Sequence, residues 1–191
     1  TSWLAHTLFG KTPAEVWSTC FAANDKLVMS GGDDAKLKLW DVRSDTTTAD
    51  RPVQTFQHFD AGVTVLSPHP RNEHLVAAGS YDETVVLYDI RYPTGTGLLG
   101  RSDSLGGGIW RIQWHPHDDQ KVLIAAMHGG CRVVNLQKNE EGDTIFNVVK
   151  RFTEHKSMAY GAGWLVREDN SLHAAASCSF YDRAAFLWGT E

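Results

Sequence analysis

Short apolar runs alternate with turn-forming clusters along the whole chain, and no stretch sustains a 3.6-residue period. The runs are rich in Val, Leu and Ile, and Gly, Asp, Asn and Pro separate them. This pattern predicts an all-β chain with almost no helix. Strands are expected near Lys26–Ser30, Lys36–Val42, Val63–Leu66, Leu75–Gly79, Val85–Ile90, Val122–Met127, Cys131–Leu136, Ala174–Ser177 and Ala185–Trp188. Ser67-Pro68-His69-Pro70 reads as a turn. The longest apolar run, Val122–Met127, is six residues, too short to cross a bilayer.

One segment recurs. Gly31-Gly32-Asp33-Asp34-Ala35-Lys36-Leu37-Lys38-Leu39-Trp40-Asp41-Val42-Arg43 returns as Gly79-Ser80-Tyr81-Asp82-Glu83-Thr84-Val85-Val86-Leu87-Tyr88-Asp89-Ile90-Arg91, with Trp40 and Tyr88 48 residues apart. A degraded copy runs from Met127 to Asn135, and a fourth from Ser179 to Trp188. Asp34, Asp82 and Asp182 each stand six residues before the aromatic. The spacing is that of the WD repeat, whose unit is a four-stranded antiparallel blade of a β-propeller. Residues 1–191 then form one propeller domain, with blades at roughly 7–57, 58–105, 106–153 and 154–191. WD rings usually close with seven blades, so four blades are expected to be part of a seven-bladed ring; a self-contained four-bladed ring is the alternative. Ser2–His6 reads as the outer strand and His turn of a preceding blade, and the blade ending at Trp188 lacks an outer strand.

Each blade should hold a buried polar network of His, Ser, Asp and the aromatic. The sets are His6, Ser30, Asp34 and Trp40; His58, Asp82 and Tyr88, with Ala78 in the serine position; and His155, Asp182 and Trp188, with Cys178 there. The third copy has Gly129 at the Asp spacing. These His–Asp pairs satisfy buried polar groups and are not catalytic dyads.

Composition narrows the function. Lys plus Arg is 18 and Asp plus Glu 23, for a net charge of −5, with no basic block, so direct nucleic-acid binding is not expected. No leader and no membrane span are read. Three cysteines at wide spacing suit reduced thiols and a cytoplasmic protein. The nine histidines show no zinc spacing; His115 and His117 flank Pro116 in a turn. Neither a metal nor a cofactor is expected.

Five segments depart from a generic repeat: Gly106-Gly107-Gly108-Ile109-Trp110-Arg111, Trp114-His115-Pro116, Ala125-Ala126-Met127-His128-Gly129-Gly130, Tyr160-Gly161-Ala162-Gly163-Trp164 and Cys178-Ser179-Phe180-Tyr181-Asp182. With the two repeat turns, their order and spacing resemble the diphthine methyltransferase family of WD-repeat proteins. Despite its name, that resemblance implies a methylesterase, a carboxylic ester hydrolase. It would demethylate the diphthine methyl ester on elongation factor 2 during diphthamide formation, with methylated elongation factor 2 as partner.

That substrate makes sense of the residue types. The turns before each inner strand and between the second and third strands share one face, and Asp33, Tyr81, Glu83, Gly106–Arg111, Met127–Gly130, Tyr160 and Tyr181 fall in or beside them. Trp110, Tyr160 and Tyr181 can cage a trimethylammonium group, with Asp33 or Glu83 adding charge. His128 lacks a structural Asp in its blade and is the candidate general base. The amides around Gly107 and Gly108, or Arg111, can hold an oxyanion. Ser179 keeps a covalent route open, although no Gly-x-Ser-x-Gly elbow exists. The bland readings are that Trp110 and Trp164 pack between blades, that Gly106–Gly108 is a loose turn and that Arg111 pairs with Asp33 or Glu83. A second function is also legible: Trp40–Arg43 and Tyr88–Arg91 fit the WD-x-Arg pattern of cullin-RING ligase substrate receptors. There Arg43 and Arg91 would meet the adaptor from the opposite face, and the protein would be a non-catalytic scaffold.

Overall fold

A computed structural model describes residues 2–22, 25–43, 51–91, 97–167 and 173–190. The linkers at 44–50 and 92–96, expected before the outer strands, lie outside the described residues. Every regular element described is a β-strand. A short hairpin of β1 (Thr7–Leu8) and β2 (Thr12–Pro13) precedes four sheets. The first runs β3 (Val16–Ala22), β4 (Leu27–Gly32), β5 (Leu37–Asp41), β6 (Gln54–Phe56). The second runs β7 (Val63–Pro68), β8 (Leu75–Ser80), β9 (Val85–Asp89), β10 (Leu98–Arg101). The third runs β11 (Arg111–Trp114), β12 (Lys121–Ala125), β13 (Cys131–Lys138), β14 (Thr144–Phe152). The fourth has β15 (Ala159–Val166), β16 (His173–Ser179) and β17 (Ala184–Gly189). All pairings are antiparallel between chain neighbours, the meander of a propeller blade. Two expectations need correction. Ser67 and Pro68 end β7 rather than forming a turn. Residues 2–6 form no strand; they lie across the first blade, where Trp3 packs on Trp40 and His6 is fully buried.

The core lies between sheets, not within them. Met29, Leu39, Val63, Val76 and Tyr88 join blades one and two. Leu87, Ile109, Ile112, Val122 and Val134 join two and three. Leu123, Cys131, Val133, Ala175 and Trp188 join three and four. Each blade buries its face on its neighbour, so the inner-strand ends of successive blades are brought side by side.

The repeat aspartates shape the hairpins at one end. Asp34, Asp82 and Asp182 each accept the N–H two residues on, from Lys36, Thr84 and Ala184 at 3.3, 3.0 and 3.1 Å. That Asx turn drives the intervening residue into the left-handed region, with φ of 59° at Ala35, 71° at Glu83 and 55° at Arg183. Where the expected polar network is complete, it closes as expected. Ser30 takes the indole N–H of Trp40 at 2.8 Å and meets His6 Nε2 at 2.8 Å; His6 Nδ1 meets Asp34 at 2.6 Å. Blade four differs from the expectation: Ser177, not Cys178, fills the serine position, bonding His155 at 2.9 Å and Trp188 at 3.1 Å. Eleven residues separate Ser177 from Trp188, against ten from Ser30 to Trp40, so spacing counted from Asp182 points one residue too far. In blade two the His58–Asp82 pair is not made. His58 bonds the Tyr88 hydroxyl at 3.0 Å, while Asp82 takes the Asp60 N–H and pairs with Arg101.

Candidate functional site: an aromatic rim over a glycine loop

Five aromatic rings from four blades line up along the hairpin face. Trp17 lies near the start of β3, Tyr81 in the β8–β9 turn, Trp110 just before β11, Tyr160 on β15 and Tyr181 in the β16–β17 turn. Trp17 and Tyr81 have ring centroids 6.0 Å apart, Trp17 and Trp110 5.9 Å, and Tyr81 and Trp110 6.1 Å, with interplanar angles of 70–71°. Trp110 reaches Tyr160 at 5.3 Å, and Tyr160 reaches Tyr181 at 6.1 Å. Trp17, Tyr81 and Tyr181 stay well exposed, although each is large and apolar. The Tyr160 phenol is held above its ordinary pKa, first by burial and then by the neighbouring Tyr181 and Tyr81 hydroxyls.

The loop 106–108 ties this rim to the β12–β13 turn. A Cβ on Gly108 would stand 2.9 Å from both Met127 Sδ and Tyr81 Cδ1. One on Gly107 would collide with the Ala126 carbonyl and stand 2.9 Å from the His128 N–H nitrogen. Only glycine lets the two turns approach this closely. Gly107 and Gly108 are buried, and their amides find no acceptor among the described residues. His128 is exposed at the tip of the facing turn.

The other expected residues fall as follows. Asp33 accepts the Trp17 indole N–H at 3.2 Å. Glu83 accepts the Ser104 hydroxyl, turned toward the segment between β10 and the glycine loop. Arg111 opens β11, exposed, and among the described residues pairs with neither Asp33 nor Glu83. Ser179 ends β16, 4% exposed, beside Asp182 rather than at the surface. Burial raises the Asp182 pKa, but N–H donation from Lys156 and Ala184 lowers it below the ordinary carboxylate value. Arg43 and Arg91 lie at the opposite ends of β5 and β9. Each forks onto its own motif's aspartate, Arg43 on Asp41 at 2.6 and 2.9 Å and Arg91 on Asp89 at 2.5 and 3.0 Å. The fork holds the Asp41 carboxyl down at about 2. Burial pushes the Cys131 thiol up to about 11 and Cys20 up to about 12, which leaves both unreactive at neutral pH.

Two residues of this site, Trp17 and Arg132, escaped sequence reasoning, and a third, Tyr81, was placed on the shared face without its role. Trp17 belongs to no repeat motif, and only the inter-blade geometry brings it to the rim. Tyr81 was legible as a turn residue, but its role was not. Arg132 is 5% exposed; its Nη1 donates to the Cys131 carbonyl at 3.0 Å, and its Nε finds no acceptor among the described residues. Its guanidinium lies beneath Gly106, with Nη2 3.6 Å from where a Cβ there would stand. It occupies the position of Lys38 in blade one, where an aspartate answers the charge at 3.5 Å; blade three has lost that aspartate.

Consecutive four-stranded blades, Asx-turn hairpins and the Ser–His–Trp network define a WD-repeat β-propeller with its candidate site on the hairpin face. The chain belongs to the nucleolar protein 10-like N-terminal β-propeller family, whose model matches residues 11–164. It is 35% identical over 97% of its length to a Dictyostelium discoideum protein named diphthine methyltransferase homolog, covering 51% of that protein. It is also 35% identical to human diphthine methyltransferase, over 94% of this chain and 37% of the human one. The chain thus spans about half the length of the Dictyostelium relative and less of the human one. In fold it is similar to a chain of the mitotic checkpoint complex crystal structure. The TM-score is 0.68 at 16% identity, covering 92% of this chain and 49% of that one.

Proposed function

We propose that this propeller carries the substrate-recognition face of an enzyme that hydrolyses the diphthine methyl ester on elongation factor 2. The observation that carries the reading is the unbroken run of five aromatic rings across four blades, held against the glycine loop. Diphthine presents a trimethylammonium group, which ring faces attract, and an ester a short distance away. The relatives named diphthine methyltransferase support a role in methyl chemistry on this same residue.

The reaction needs only water. A water oxygen attacks the ester carbonyl while His128 takes its proton as general base. The resulting oxyanion is held by the unpaired amides of Gly107 and Gly108, with Arg132 beneath the loop adding positive potential. Collapse expels methoxide, which takes from His128 the proton drawn from water and leaves as methanol; the acid formed gives its own proton to solvent and remains as carboxylate. Burial of Ser179 beside Asp182 favours this route over a covalent one. Cytoplasmic location follows from elongation factor 2 as substrate.

The test is methanol release from methylated elongation factor 2. His128→Gln should cut the rate about a hundredfold at unchanged melting temperature. Normal turnover in that folded variant would end the candidacy of His128. A protein that releases no methanol but captures a cullin-RING adaptor through Arg43 and Arg91 would overturn the hydrolase reading.

A further inference from the structure

We propose that Trp17 and Tyr81 are the walls that make the rim selective for a quaternary ammonium, and that Asp33 is a positioning residue that acts through Trp17. This deepens the reading above only in the class of ligand; it does not depend on ester chemistry.

Trp17 is 43% exposed, yet its N–H is committed to Asp33 Oδ1 rather than to solvent alone. Asp33 is itself fixed. Its backbone N–H donates to the Glu15 carbonyl at 2.9 Å, and a Cβ on Gly62 would stand 2.8 Å from its Oδ1. The same Gly62 accepts the Tyr81 N–H through its carbonyl at 2.9 Å, and Gly108 leaves room for the Tyr81 ring. Gly62 of blade two and Gly108 of blade three thus set both walls against Trp110 of blade three. The three ring centroids lie 5.9–6.1 Å apart with steep mutual inclination, so a point about 4 Å from each centroid exists, well inside cation–π reach. A quaternary ammonium has no N–H to satisfy and loses little on entering such a corner. A bare ammonium keeps its water and needs acceptors that the ring faces lack. With its Oδ1 turned to the indole, Asp33 orients one wall.

Tetramethylammonium is the probe, titrated into the full chain and followed by tryptophan fluorescence and calorimetry, with ammonium as control. The wild-type protein should bind tetramethylammonium and not ammonium at equal concentration. Trp17→Ala and Tyr81→Ala should each weaken binding about tenfold. Asp33→Ala should weaken it comparably. Asp33→Asn keeps an oxygen acceptor for the indole and should recover most of that loss. In a Trp17→Phe background, which has a ring but no N–H, the difference between the two Asp33 variants should vanish. Equal loss in Asp33→Asn and Asp33→Ala would make Asp33 a direct counter-ion and overturn its positioning role. Wild-type affinity in Trp17→Ala, or no binding of the probe at all, would overturn the proposal outright. Probe binding without methanol release would sink the hydrolase and leave the cage standing; methanol release unaffected by Trp17→Ala would do the reverse.

Discussion

Ser30 shows how much one hydroxyl can carry. It accepts the Trp40 N–H and donates toward His6 Nε2, which leaves the His6 proton on Nδ1, facing Asp34. Ser30→Ala strands an indole donor and an imidazole nitrogen in a buried site. Each unsatisfied group costs about 1–3 kcal/mol, so the variant should lose at least ~2 kcal/mol in urea denaturation. Ser177→Ala should lose a similar amount, because Ser177 holds the same two partners in blade four. Cys178→Ala, whose side chain is on the exposed side, should lose far less. Equal losses at 177 and 178 would contradict the corrected register. At this scale the sequence was legible wherever the hairpin kept its standard length. His6, Ser30, Asp34 and Trp40 follow from spacing alone. Ser177 was hidden by one residue in a turn, and the His58–Asp82 pair by Arg101, a competitor from the outer strand.

Between elements, blades two and three are joined on the face opposite the rim in two ways that look equally deliberate. Trp114 packs on His69 with centroids 4.4 Å apart and donates its N–H to the Ser67 carbonyl at 3.1 Å. Arg71 reaches Asp119 at 2.5 Å and also touches the Pro116 carbonyl, but both partners of that ion pair are exposed. Packing should dominate. Trp114→Ala removes a large, nearly buried ring and should cost about 3–5 kcal/mol. Arg71→Ala should cost under about 1 kcal/mol, since exposed ion pairs are screened and entropically costly. Chemical denaturation of the two variants side by side decides it; a larger loss from Arg71→Ala would reverse the ranking. The arrangement repeats one blade on, where Trp164 packs on His115 at 4.7 Å and donates to the Gln113 carbonyl at 3.0 Å. Sequence inspection marked Trp114-His115-Pro116 and Trp164 as departures from the repeat. Packing between blades was a legible reading for Trp164, and it holds; that each tryptophan answers to the preceding blade through a histidine and a carbonyl was not legible. The rim has the same character: Trp110, Tyr160 and Tyr181 stood out by type, whereas the contact of Trp17 with Tyr81 exists only once blades one to three are docked.

At the scale of the whole molecule, docking buries histidines in the neutral form. His6, His58 and His69 all have pKa values lowered below 6.5, each chiefly by burial. Asp34 beside His6 and Asp119 beside His69 oppose that shift without overcoming it. A lowered pKa in a base means that, below pH 6.5, the unfolded chain binds protons that the native chain does not. Stability therefore rises with pH across this window. The contribution of the three histidines is complete above pH 6.5 and is lost as pH falls toward their folded values. Asp89 and Asp182, whose folded pKa values lie below 3.8, add a second loss only under more acid conditions. The melting temperature should accordingly hold steady from pH 8 to 7 and decline from pH 6.5 to 5, above the range in which Asp89 and Asp182 contribute. His58→Gln removes one of the three titrating groups at a half-buried position and should flatten that decline by a fraction rather than abolish it. Calorimetric scans at half-unit pH steps read this directly. A melting temperature unchanged between pH 7 and 5 would mean that the blades tolerate protonated imidazoles between them, and that His–Asp pairing outweighs burial after all.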